Sequence, residues 1–184
     1  MPGVKKLFVL SAVLVCSAIA WAQSGPVTAM GGTNGSDVTG SAVVMVKNSN
    51  FDVGYGADFS ATKYLTRHWG FRAEADWTAM NDYSYREYGA RGGAVYKFKL
   101  SPNTQPYFEY LVGYAKTRVT FFKGPLVYHD GLSMLGGGGL DYRVRNGLFV
   151  RAGVDMVADN SDKGFGNKYG RVTLGIAYHI GDRQ

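Results

Sequence analysis

Hydrophobic and polar positions alternate through most of this chain. From Phe51 the odd positions read Phe51, Val53, Tyr55, Ala57, Phe59 and Ala61, and the even ones Asp52, Gly54, Gly56, Asp58, Ser60 and Thr62. From Trp69 one face carries Trp69, Phe71, Ala73, Ala75, Trp77 and Ala79, the other Gly70, Arg72, Glu74, Asp76 and Thr78. A helix of 3.6 residues per turn would mix these sets, whereas a strand sorts them to opposite faces. The same sorting recurs over 87–98, 107–115, 132–143, 148–156 and 171–180, which makes seven strands. Residues 37–47 form an eighth, with Val38, Ala42, Val44 and Val46 facing one way and Thr39, Ser41, Val43 and Met45 the other. Short connections at Leu65 to His68, Ser101 to Gln105 and Arg145-Asn146-Gly147 alternate with Asn48 to Asn50 and Met80 to Tyr83. Two longer loops, roughly Thr120 to Asp130 and Asp159 to Lys168, join the second group. Neighbouring antiparallel strands in this order predict an all-β, eight-stranded up-and-down barrel, in which closure removes the sheet edges.

The first residues follow a different pattern. Lys5 and Lys6 precede an apolar run from Leu7 to Val15, and Ala20-Trp21-Ala22 closes the segment before Gln23. A positive start, a short apolar core and small residues at −3 and −1 predict a signal peptide over 1–22, cleaved after Ala22. Residues 23–36, with Gly31-Gly32-Thr33-Asn34-Gly35, read as a flexible lead-in to a barrel over 37–181. Cleavage removes the single cysteine, Cys16, and with it any disulfide, thiolate metal site or cysteine nucleophile. It also lowers the net charge from +6 to +4 by taking Lys5 and Lys6. No basic stripe accompanies this mild excess, so nucleic acid is not an expected partner.

Alternation alone does not say which face is enclosed. In a lipocalin-like barrel, the alternative reading, the apolar face lines a cavity for a small ligand. In an outer-membrane barrel the apolar face meets lipid and the polar face fills the lumen. Composition decides between them. The chain has 26 glycines and 26 aromatic residues (13 Tyr, 10 Phe, 3 Trp). The glycines crowd the polar face, where they leave room for long charged side chains. The charges there nearly balance: Asp52, Asp58, Glu74, Asp76, Glu87, Glu109, Asp141 and Asp155 face Arg72, Arg91, Lys97, Lys99, Arg143, Arg151 and Arg171. Charges removed from water must be paired, so this is the expected lumen network. The rings gather at strand ends as two girdles, Trp69, Phe98 and Tyr178 at one and Trp77, Tyr83, Tyr85 and Tyr114 at the other.

With those features the chain resembles small exported eight-stranded barrels of the OmpA-transmembrane and OmpX type, and the outer membrane protein beta-barrel domain. The resemblance is carried by Phe51 to Asp58, Leu65 to Arg72, Gly136 to Arg143 and Thr173 to Ile180. It implies an outer-membrane location, with lipid, lipopolysaccharide and the assembly machinery as partners and no cofactor. That machinery often reads a terminal aromatic residue, whereas here Ile180 is followed by Gly181-Asp182-Arg183-Gln184.

Some barrels of this architecture modify lipid A, and His129, Asp130 and Ser133 are the residues here that such chemistry would use. His68 and His179 have no nucleophile beside them in the pattern, and no histidine spacing marks a metal site. The Gly136 to Gly139 run lacks the following Lys-Ser/Thr of a phosphate loop and fits close strand packing. An eight-stranded lumen is filled by side chains, which disfavours a wide pore. The expected role is therefore structural, stabilising the envelope, or one of surface contact with an extracellular ligand, without catalysis. Lys116 and Arg118 fall on the lipid-side register at the outer strand ends, with Lys123 in the adjoining loop, as candidate lipopolysaccharide contacts. Phe121, Phe122, Leu126, Val127 and Tyr128 give the third loop an apolar surface.

Overall fold

The computed structural model describes residues 35–47, 52–80, 85–98, 100–101, 103–120, 126–161 and 164–181. They form β1 (Ser36–Lys47), β2 (Asp52–Tyr64), β3 (Trp69–Met80), β4 (Tyr85–Lys97), β5 (Thr104–Thr120), β6 (Leu126–Arg145), β7 (Leu148–Ser161) and β8 (Gly164–Ile180). Each strand pairs antiparallel with the next, and β1 pairs β8 from Ser36↔Ile180 to Lys47↔Tyr169, so the sheet closes. Both ends of the barrel's chain lie on one rim, called here the terminal end. The opposite rim, the loop end, is where β1 leads to β2, β3 to β4, β5 to β6 and β7 to β8.

The alternation holds in every strand, and it places the polar face inside. Fully enclosed charged side chains include Arg151 and Arg171, each 2% exposed, and Glu87 and Asp141 at 0%. Large apolar side chains point outward instead: Phe59 is 59% exposed, and Val154 and Met156 are each 64% exposed. A soluble barrel would leave this apolar surface in water around all eight strands, at a cost proportional to its area. The lipocalin-like alternative is thus inverted: the apolar band is the outer wall, as in a barrel whose solvent is hydrocarbon.

Two expected loops are mostly strand. β5 runs to Thr120 and β6 begins at Leu126, so Tyr128, His129 and Asp130 lie on β6, with Val119↔Val127 and Arg118↔Tyr128 in register. Likewise β7 extends to Ser161 and β8 starts at Gly164. Val119, Val127 and Tyr128 are β-branched or aromatic, and paired across a hairpin they continue the ladder into the segment read as a loop from the sequence. Phe121 and Phe122 lie outside the described residues. The Asn146-Gly147 turn forms as read from the sequence, with Gly147 at φ 81°, a left-handed conformation that favours glycine.

Glycines on the outer wall have a separate explanation. Gly136 and Gly138 lie directly opposite Tyr110 and Phe108. The Phe108 ring comes within 2.9 Å of where a Gly138 side chain would begin, and Tyr110 stands 3.7 Å from that of Gly136. Each ring covers the backbone that its glycine leaves bare, an aromatic rescue of glycine across the pair.

Candidate functional site

Three tiers of charge fill the lumen, each joining strands that are distant in sequence. Nearest the terminal end, Asp37 on β1 accepts from Tyr64 Oη (2.7 Å), lies 2.7 Å from His179 Nδ1, and accepts from Lys97 Nζ (2.8 Å). Lys97 also reaches Asp141 at 2.8 Å, and Arg151 grips Asp141 with two parallel bonds of 2.6 and 2.7 Å. This bidentate geometry makes the Arg151–Asp141 pair the most directional contact of the tier. Together these groups tie β1, β2, β4, β6, β7 and β8.

In the middle, Arg171 on β8 donates to Asp155 on β7 (2.9 Å) and to Glu74 on β3 (2.7 Å). Arg72 donates to Glu109 across the lumen and to Thr62 beside it at 3.0 Å. Asp58 is buried opposite Asp76 on β3 and Ser41 on β1. Towards the loop end, Arg91 pairs with Asp76 and donates to Ser133 Oγ (2.7 Å), with Glu87 at 3.5 Å. Glu87 accepts hydroxyls from Tyr85 (2.5 Å) and from Tyr169. In the same interior Met45, Met80, Leu111, Leu135 and Val157 pack with those two tyrosines into an apolar cluster.

Glycine makes this filling sterically feasible. A side chain at Gly89 would begin 2.2 Å from Asp76 Oδ1, and one at Gly137 would begin 2.1 Å from Asp155 Oδ1. The small residues thus occupy the space next to the ion pairs.

Several expected residues lie elsewhere. Tyr85, read as part of the outer girdle, points inward with Glu87, because the two share a strand parity. Asp52 is half-exposed at the loop end, and Arg143 is half-buried over the Phe149 ring (5.5 Å) without an ion pair among the described residues. Lys99, Lys123 and Tyr83 lie outside the described residues. Asp37 and Asp159, absent from the expected network, are buried in it. The described interior consequently holds nine buried acids and five buried bases, an acid-rich lumen instead of a nearly balanced one. For Asp37 the available signal was its parity with Thr39 and Ser41; for Asp159 it was parity with Asp155.

The girdle residues divide between the rims. Trp69, Tyr96, Phe98 and Phe108 form a chain of ring contacts at the terminal end, with centroids 4.9, 6.2 and 6.0 Å apart, and Tyr178 is exposed on the same rim. At the loop end Trp77 pairs with Tyr88, and Tyr114 donates its hydroxyl to Asp130. Lys116 and Arg118 are exposed on the outer wall, with the Lys116 ammonium 5.1 Å from the Tyr128 ring.

His129, Asp130 and Ser133 do not converge. Ser133 is fully buried and bonded to Arg91, and His129 is exposed four residues before it in β6, a separation of about 13 Å in a strand. Asp130 points to the opposite face, towards Tyr114. A nucleophile, base and orienting acid would have to sit within hydrogen-bond reach of one another.

A sequence profile of the outer membrane protein beta-barrel domain matches residues 8–181. Among solved structures the chain is similar to Neisserial surface protein A, at 14% identity and a TM-score of 0.66, over 81% of this chain and 99% of that one. It is also similar to the N-terminal β-barrel domain of Pseudomonas aeruginosa OprF, at 18% identity and TM-score 0.56, over 81% and 99%. A third is Ail, the attachment invasion locus protein of Yersinia pestis, solved with the heparin analogue sucrose octasulfate: 15% identity, TM-score 0.54, over 82% and 100%. At these identities the likeness is one of fold. No curated protein sequence matches the chain.

Proposed function

This chain belongs to the outer membrane protein beta-barrel domain family and resides in the outer membrane, and from that premise we propose that it is a non-enzymatic wall protein whose work is done by its outer surface. It stabilises the envelope, or meets an external surface, through residues that face lipid and the cell exterior. The observation that carries this reading is the lumen. Arg151 and Arg171, bonded to their neighbouring strands at 2.6–2.9 Å, with Arg171 also reaching Glu74 across the barrel at 2.7 Å and an apolar cluster packed in the same interior, occupy the space that a substrate or solute would need. A barrel of eight strands has little other interior volume. The surface-contact version also draws support from the fold it shares with an attachment protein.

The separation of His129, Asp130 and Ser133 favours the absence of lipid A chemistry. Cells carrying the protein, cells lacking it and cells with His129→Ala should share one lipid A profile by mass spectrometry. An acylation or phosphorylation pattern that follows the protein's presence, and that His129→Ala abolishes, would overturn the non-enzymatic reading.

A further inference from the structure

Charges are distributed unequally between the two faces of the wall. On the outer face of the described strands the cations are Lys63, Arg86, Lys116, Arg118, Arg145 and Lys168, and the acid is Asp130. All of these except Lys63 and Arg145 are towards the loop end. Arg86 on β4 and Arg118 on β5 are directly opposite each other in the register. Both are exposed, and neither forms an ion pair among the described residues. Lys116 lies two residues below Arg118 on the same face, opposite Tyr88. Its cross-strand neighbour on the other side, Asp130, accepts the Tyr114 hydroxyl. Like charges placed directly opposite across a ladder repel and destabilise the sheet. Such a pair is favourable when an anion bridges it.

Height fixes where that anion would be. Phe108 pairs with Tyr96 at the terminal-end girdle, and ten residues along the respective strands separate Phe108 from Arg118 and Tyr96 from Arg86. At ~3.3 Å per residue and a tilt of ~40°, this is a rise of about 25 Å, the height of the apolar band of an outer-membrane barrel. Arg86 and Arg118 therefore stand at the lipid headgroup level, just above Trp77 and Tyr88. Lys116, slightly lower, can extend its ammonium up to the same level along its apolar stem.

We infer that Arg86 and Arg118, with Lys116 beneath them, form a binding site on the outer wall of β4 and β5 for the phosphates of an outer-leaflet glycolipid. The guanidinium forks supply paired donors that match phosphate oxygens. Tyr88 and Trp77 supply an amphipathic surface for the sugar and the first part of the acyl chains. This inference rests on the surface-acting reading above and names a partner for that surface. Lys123 is not needed for the site.

The refolded full chain in detergent micelles provides the test, with bound lipid quantified by native mass spectrometry. The probes are a lipid A carrying two phosphates, the same lipid after dephosphorylation, and inorganic phosphate as competitor. The parent should hold the phosphorylated lipid roughly tenfold or more tightly than the dephosphorylated one, and Arg86→Ala/Arg118→Ala should remove that preference. Arg86→Gln/Arg118→Gln keeps side-chain length and polarity without charge and should behave like the alanine variant. Millimolar inorganic phosphate should not displace the lipid. Equal binding of both lipids by the parent, or undiminished binding by both double variants, would overturn the site. Displacement by inorganic phosphate would overturn the lipid as its ligand. None of these outcomes alters the lipid A profile of cells, so failure of this site is distinguishable from failure of the non-enzymatic reading.

Discussion

Replacing Arg151 by leucine is expected to destabilise the barrel by about 3–5 kcal/mol, the usual cost of removing one partner from a buried ion pair. The guanidinium makes both bonds to Asp141 and donates to Thr39 at 3.0 Å, and Asp37 lies 3.7 Å away. Its loss leaves the Asp141 carboxylate enclosed with Lys97 as its remaining charged partner. Asp141→Leu should cost a similar amount through the stranded guanidinium. The double variant removes both charges, while Lys97 keeps Asp37. It should therefore lose less than the two single variants together, with a coupling of about 2–3 kcal/mol. Urea titration of the folded barrel in lipid vesicles, followed by tryptophan fluorescence, measures all four corners of the cycle. Single variants within about 0.5 kcal/mol of the parent would mean that this tier does not hold the strands together.

The second large effect is steric. A side chain at Gly113 would begin 2.0 Å from the Ala90 carbonyl oxygen and 2.6 Å from the Arg91 Cα, both in the backbone of β4. Backbone in a closed sheet cannot swing aside as a lysine tip can, so β4 and β5 would have to part locally. Gly113→Ala should cost about 3 kcal/mol, at the upper end of overpacking penalties, and lower the fraction that refolds to the compact, heat-modifiable form. Gly40 is the internal control. It also lies in a strand, but on the outer wall with nothing within 4 Å of an added side chain. Gly40→Ala should be neutral or stabilising by up to ~1 kcal/mol, because alanine has less backbone freedom to lose. Equal stability of the two variants would contradict the close approach of the strands at Gly113.

Much of this architecture is legible in the chain because side-chain parity is a local property. Phe51 to Thr62 and Trp69 to Ala79 each declare a strand and its two faces without reference to any other segment. Parity also carries information that ring content obscured: Tyr85 shares the parity of Glu87 and Arg91, and it belongs inside with them. Strand ends are harder to read. Val119, Val127 and Tyr128 have strand propensity, but only their pairing across the β5–β6 hairpin decides that the ladder continues there. The network lies between these cases. That Arg151, Asp141 and Arg171 are enclosed follows from parity, whereas the grip of Arg151 on Asp141 follows from register and barrel curvature. The β4–β5 cation pair was the least legible feature. Lys116 and Arg118 stand out on β5 alone, but Arg86 becomes their neighbour only once the two strands are aligned.

The acid-rich interior has a similar origin. Asp37 opens the first strand and Asp159 falls where the chain resembled a loop, so neither stood out as a lumen residue. Both are enclosed, and Asp37 became the centre of the terminal-end tier. Ion pairing in this barrel is therefore not a matter of equal numbers. Tyr64, Tyr85 and Tyr169 donate hydroxyls to carboxylates, doing part of the work that extra bases would do. Hydrogen bonds to charged acceptors are worth more than neutral ones, which suits hydroxyls to this role in an enclosed interior.

The central claim is that the lumen is closed and the protein acts through its outer wall. Single-channel recording of the purified full chain in planar bilayers tests it most directly. A filled lumen predicts traces at baseline, with at most brief events of a narrow leak, and opening after Arg171→Ala removes the side chain that links β8 to β3 and β7. Stable, ohmic channels from the unmodified protein would contradict the closed lumen and return the interior to consideration as a solute path.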